Sequence, residues 1–167
     1  MTKILPACLT AGLLGLAALP ASAALSQGDR DFAQHAASGG LAEVQTAQMA
    51  QQRSSSPQVK QFAQRMIIDH TQANDELMQI GQQANLDLPT QPTGKDASAA
   101  QKLSAMNGTA FDQAYARDEV SDHEQDIALF RKEANSGQDP SLKAFAQKTL
   151  PILQQHLQLA QALNTKR

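Results

Sequence analysis

Between residues 57 and 84 the chain places Val59, Ala63, Met66, His70, Ala73, Leu77, Ile80 and Ala84 at alternating spacings of four and three. This is the repeat of one helix face, and a stripe of that length has to be buried against other helices. The pattern recurs. Leu142, Ala146, Thr149, Leu153, His156, Ala160 and Leu163 form a second stripe, and Val120, His123, Ile127, Phe130 and Ala134 a third. A fourth, Ala36, Gly40, Glu43, Ala47 and Ala50, is built of small residues that admit a neighbouring helix at close range. Ala, Gln and Leu abound while β-branched residues are few, which favours helix.

The expected fold is all-α, with four long helices at about 28–53, 57–84, 109–135 and 140–164 and a short one at about 97–106. Pro57 and Pro140 stand near first helical positions after polar residues able to cap, and Gly137 is a stop signal. "SPQVKQFAQRM" (Ser56–Met66) matches "DPSLKAFAQKT" (Asp139–Thr149) as a weak internal repeat. The chain therefore reads as two helical hairpins joined by the Pro-rich linker "NLDLPTQPTGKD" (Asn85–Asp96). Four such helices form an up-down bundle or a ferritin-like one. A linker of about a dozen residues reaches roughly 40 Å when extended, enough for the long ferritin-type crossover. The pattern leaves both open.

The first 23 residues read differently. Lys3 gives a positive start, "ILPACLTAGLLGLAAL" is an apolar run too short to span a membrane with the usual flanks, and "ASA" (Ala21–Ala23) is a small-residue cleavage site. This is the pattern of a secretory signal peptide, with residues 24–167 as the single mature domain, periplasmic or secreted. "LPAC" (Leu5–Cys8) leaves no room for the hydrophobic region of a lipoprotein signal. Cys8, the one cysteine, leaves with the signal, which excludes thiolate catalysis and Cys-based zinc sites in the mature chain. No transmembrane segment is expected after cleavage. The formal charge is −2, and −3 once Lys3 is gone, with both signs interspersed. With no basic patch, one tyrosine and no tryptophan, nucleic acid is not an expected partner.

Each stripe carries one metal-capable residue: Glu43, His70, His123 and His156. At about 1.5 Å rise per residue, Glu43 lies roughly 15 Å and His70 roughly 20 Å from the first hairpin turn. His123 lies roughly 18 Å and His156 roughly 24 Å from the second, so in helices roughly 40 Å long all four sit near the middle. They form a candidate Glu/His₃ cluster for one transition-metal ion: zinc, iron, copper or manganese. Asp69, Glu119, Asp122 and Asp126 are neighbours that complete the ligand set or hold the second ring nitrogens. The plainer reading makes each histidine a core residue bonded locally, as in Asp69–His70 and Asp122–His123, with Glu43 in a buried ion pair. His35, near Asp31, reads as a solvated-face residue, and Asp112 and Tyr115 as a surface pair. Pro151 removes a backbone bond about one turn before His156, either kinking the helix to aim it or sitting there tolerated. No nucleophile–base pair, phosphate-binding glycine loop or nucleotide fingerprint is found. The chain therefore reads as a binding protein; an enzymatic version would be a metal-dependent oxidoreductase.

The segments "GGLAEVQTAQMA", "FAQRMIIDHTQANDEL", "GTAFDQAYARDEVSDHEQDIALF" and "LKAFAQKTLPILQQHLQLAQAL" resemble a family of exported bacterial proteins of ferritin-like fold. It is known only as a domain of unknown function, and some members carry an outer-membrane label. The resemblance spans roughly 30–164. It implies a four-helix ferritin-like bundle behind a signal peptide and no established activity. The family's recurring positions fall on Glu43, Asp69–His70, Asp122–His123–Glu124 and Leu150–Pro151…His156. Ferritin-type di-iron centres use Glu-x-x-His on two helices. Here no Glu precedes His70, His123 or His156 by three, and Leu142–Leu163 holds no carboxylate. A single His-rich ion fits better. The expectation is thus an exported bundle binding one transition-metal ion in its core; the alternative is a metal-free envelope interaction or stress protein whose histidines are structural.

Overall fold

A computed structural model describes residues 25–165; the expected signal peptide, with Lys3 and Cys8, lies outside the described residues. Among them the regular structure is entirely helical: α1 (Gln27–Arg53), α2 (Pro57–Gln83), α3 (Gly94–Ser104), α4 (Gly108–Ser136) and α5 (Pro140–Thr165). The four long helices and the short one expected near 97–106 are all present, so the bundle of four carries a fifth helix. The fifth is α3, the short helix inside the connection that joins the two hairpins.

Local chemistry sets the boundaries. Ser26 and Asp29 form a capping box at the start of α1. Ser56 caps α2 ahead of Pro57. The Asp139 carboxylate accepts from the amides of Ser141 and Leu142 at 2.9 Å each, ahead of the first turn of α5. Gly108 opens α4 at φ +57°, a left-handed value that glycine adopts without steric cost. α5 runs on through Pro151, which faces solvent.

The long helices pack as a ring. α1 lies against α2 and α4, and α5 against α2 and α4. Every neighbouring pair is antiparallel, as single contacts show. Arg53 of α1 reaches Asn107 at the start of α4, while Asp29 at the other end of α1 accepts from the Gln138 amide in the α4–α5 turn. Lys148 pairs with Glu76, and His156 with Asp69, across α5 and α2. The two hairpin turns therefore lie at opposite ends. The chain must travel the full length of the bundle between α2 and α4, and the segment containing α3 makes that crossover. α3 packs on α1 and α4 on the way, anchored where Ser38 of α1 donates to Asp96 (2.6 Å) and accepts from the Thr93 amide (3.0 Å).

The apolar core is split in two. One cluster, toward the α4–α5 turn, holds Phe32, Leu77, Ile127, Phe130, Phe145 and Leu153. Its three phenylalanines meet with ring centres 5.0–6.3 Å apart. The other, toward the α1–α2 turn, holds Val59, Phe62, Met66, Leu103, Phe111 and Tyr115. Between them, on all four long helices, lies a buried polar waist of Glu43, His70, Glu119, His123 and His156. The small-residue stripe of α1 works as expected: a Cβ on Gly40 would collide with the Asn74 side chain of α2. No helix among the described residues is long and apolar enough to cross a membrane.

Candidate metal centre

The four sequence-predicted residues are all at the waist and all buried. His123 is fully enclosed, His156 is 1 % exposed, Glu43 5 % and His70 6 %. Three helices deliver the histidines: His70 from α2, His123 from α4 and His156 from α5. Their ring centres stand 5.8 Å (70–123), 5.4 Å (70–156) and 5.4 Å (123–156) apart. One ring nitrogen from each lies within 4.8 Å of the others. Nε2 of His70, Nε2 of His123 and Nδ1 of His156 are buried and have no hydrogen-bond partner.

The opposite nitrogens of two of these rings are held. His123 Nδ1 is 2.9 Å from the Glu119 carbonyl oxygen one turn earlier, so it carries the proton and leaves a lone pair on Nε2. His156 Nε2 is 2.8 Å from Asp69 Oδ2, which by the same logic leaves a lone pair on Nδ1. Asp69 is itself fixed by the Arg65 guanidinium, one turn back on α2. Metal-ligating histidines are oriented by partners of this kind. Asp69 serves His156 rather than its sequence neighbour His70, because adjacent residues on a helix project about 100° apart. Asp122 makes no hydrogen bond to His123 either; it lies under α3. The expected local pairs Asp69–His70 and Asp122–His123 are thus not formed.

Glu43 joins the site through His123. Its Oε1 is 3.8 Å and Glu119 Oε2 is 3.5 Å from His123 Nδ1. Glu43, Glu119 and His123 form a second close group, which shares His123 with the first. The four predicted residues therefore meet at one level, in two adjoining sets rather than one. Tyr115 lies on the same face of α4, one turn before Glu119. It is fully buried and stacks on Phe111 at 5.7 Å. The surface pair expected for Asp112 and Tyr115 is corrected: Asp112 accepts from Ser55, and Tyr115 points into the core. Tyr115, Glu119 and His123 at four-residue spacing were the signal for this, and the apolar-stripe reading passed over it. His35 is exposed, as expected.

Burial sets the charge states. His70 is held well below the usual imidazole range, by burial first and then by His123 and His156. His123 falls to about 4, through burial and then His156. Burial lowers His156 too, and Asp69 offsets only part of that. At neutral pH the three rings are neutral, the form that ligates metal. On the other side burial drives Glu43 well above the carboxylate range, with repulsion from Glu119, Asp126 and Asp122 adding to it. Burial raises Glu119 to about 8 despite hydrogen bonding with Glu43 and Tyr115. Facing carboxyl groups in a dry site hold a proton or a cation between them.

The geometry can be set beside known proteins. A crystal structure of a DUF305 fragment from Deinococcus radiodurans superposes with a TM-score of 0.74, covering 86 % of this chain and 99 % of that one at 11 % identity. At that identity the likeness is one of fold. No curated protein matches. The family model described as "Domain of unknown function (DUF4142)" matches residues 15–163, nearly the whole chain, and the protein belongs to that family.

Proposed function

We propose that this protein is an exported, ferritin-like helical bundle that binds one transition-metal ion through His70, His123 and His156. Glu43, Glu119 and Asp69 act around the ligands. The observation that supports it is the convergence of three buried imidazoles, each with one ring nitrogen that has no partner. Each unsatisfied buried polar atom costs about 1–3 kcal/mol, so three of them cost an amount comparable to the whole stability of a small domain. An apolar waist would join the two core clusters without that penalty. A bound ion would offset that cost.

Neutral imidazoles suit zinc, copper and iron, while manganese favours oxygen donors such as those of the adjoining Glu43 and Glu119. The Glu119 carbonyl fixes the His123 proton on Nδ1, and the Asp69 carboxylate fixes the His156 proton on Nε2. Each fixed proton leaves the opposite ring nitrogen with a free lone pair. The bound ion would supply a coordination position open to a small ligand, and one-electron chemistry if it is redox-active. The crossover carrying α3 is the topology of ferritin-like bundles, but the ligands differ from a di-iron carboxylate set. The 1–23 leader reading puts this binding in the periplasm or outside the cell.

The test is elemental analysis of mature protein purified without chelator or histidine tag. About one equivalent of a transition metal is expected, with at least a tenfold loss of affinity in His70→Ala and in His156→Ala while the helical circular dichroism remains. Metal-free protein that gains no thermal stability from zinc, iron, copper or manganese would overturn the reading. It would leave the histidines as core residues of an interaction protein.

A further inference from the structure

Under α3 lies a small cavity of about 30 Å³, lined by Glu43, Thr46, Lys95, Asp96, Asp122 and Asp126. Four carboxyl groups and a single ammonium line it. Its inner wall is the buried pair Glu43 and Thr46; Lys95, Asp96, Asp122 and Asp126 are exposed or half-buried. Glu43 belongs at once to this cavity and to the group that contains His123. Its Oε2 is buried with no hydrogen-bond partner. A polar chain thus leads from the surface acids through Glu43 to the histidines.

A route of that kind is needed. The waist is closed above and below by the two apolar clusters, and a divalent cation stripped of water in such surroundings meets a prohibitive desolvation cost. We infer that the acidic cavity beneath α3 is the access route for a divalent transition-metal cation, and that Glu43 passes the cation inward to the histidine nitrogens. This rests on the metal-binding reading of the waist. Asp122 and Asp126 concentrate cations at the mouth, since carboxylates in a cleft with low-dielectric walls focus the field. Lys95, whose ammonium donates to Gln125 Oε1 at 2.7 Å, opposes them and slows admission. Ala99 of α3 also lines the cavity, so a larger side chain there would fill it.

The experiment is stopped-flow loading of metal-free protein with cobalt(II) chloride, read by cobalt absorption, with zinc competition giving the affinity. The Asp122→Asn/Asp126→Asn double variant is expected to load at least fivefold more slowly than the wild type at low salt. The gap should narrow as salt rises. Lys95→Ala should load faster. Ala99→Leu, which fills the cavity, should also load slowly. All three should reach the wild-type stoichiometry and an affinity within about threefold of it. Should Ala99→Leu fail to fold, the charge variants decide alone. Wild-type loading rates in the double variant and in Lys95→Ala would overturn the route while leaving the metal site intact. A wild type that takes up no cobalt or zinc would overturn the site and the route together.

Discussion

At the scale of single residues, the candidate site is defined by which nitrogen of each ring is free. His123 and His156 each spend one nitrogen on a fixed acceptor, a backbone carbonyl in one case and a carboxylate in the other. The tautomers therefore follow from their neighbours. Asp69 is the neighbour that can be changed without touching a ligand. Asp69→Asn keeps the volume but loses the charge that holds His156 and pairs with Arg65. Metal affinity in a competition titration is expected to fall about 10–100-fold, the usual consequence of losing an outer partner of a ligating histidine. A wild-type affinity would show that Asp69 does not orient His156.

At the scale of helices, two positions carry stored cost. Pro151 lies inside α5, where it has no N–H to give the carbonyl of Gln147 and its ring crowds that turn. The helix continues regardless, because the apolar stripe on either side of it, Leu142 to Leu153 and on to Ala160, is packed into both clusters. Pro151→Ala is expected to raise stability by about 1–3 kcal/mol in a denaturant titration. At the end of α4, Glu133 is raised to about 7, by burial and then by the charge of Asp29 on α1. Burial presses Asp29 upward as well, but the Ser26 hydroxyl and the amides of Gln138 and Asp139 outweigh it and hold Asp29 low. Glu133 therefore binds its proton more tightly in the folded chain than in the unfolded one. Its contribution is fully present below about 4.5 and is lost as pH rises through about 7. Glu133→Gln removes that loss. Relative to the wild type the variant is expected to gain stability progressively between pH 5 and pH 8, measured by urea denaturation across that range. A constant difference would place the Glu133 proton elsewhere.

At the scale of the whole molecule, the crossover puts the hairpin turns at opposite ends and the waist between two separate apolar clusters. A ligand that binds only the folded waist couples those clusters. At a hundred times its dissociation constant it adds about 2.7 kcal/mol. For a domain of this size that raises the melting temperature by roughly 5–10 °C, readable by calorimetry with and without added metal. Much of this arrangement was legible in the sequence. The four-and-three spacing fixed the long helices to within a few residues, since burying one helix face demands that repeat whatever the helix packs against. The same repeat, with a fixed rise per residue, fixed the common height of Glu43, His70, His123 and His156. The internal repeat did not: it sets Leu153, not His156, opposite His70. What only the tertiary structure decided is which helices are neighbours and in which direction each ring turns. The linker was long enough for either topology, and the contacts of α3 with α1 and α4 select the crossover. Asp69 looked like a partner of His70 and serves His156; Tyr115 looked like a surface residue and lies in the core. A one-dimensional spacing gives the height of a residue on its own helix. The azimuth at which it meets another helix depends on packing between distant parts of the chain, which no local pattern encodes.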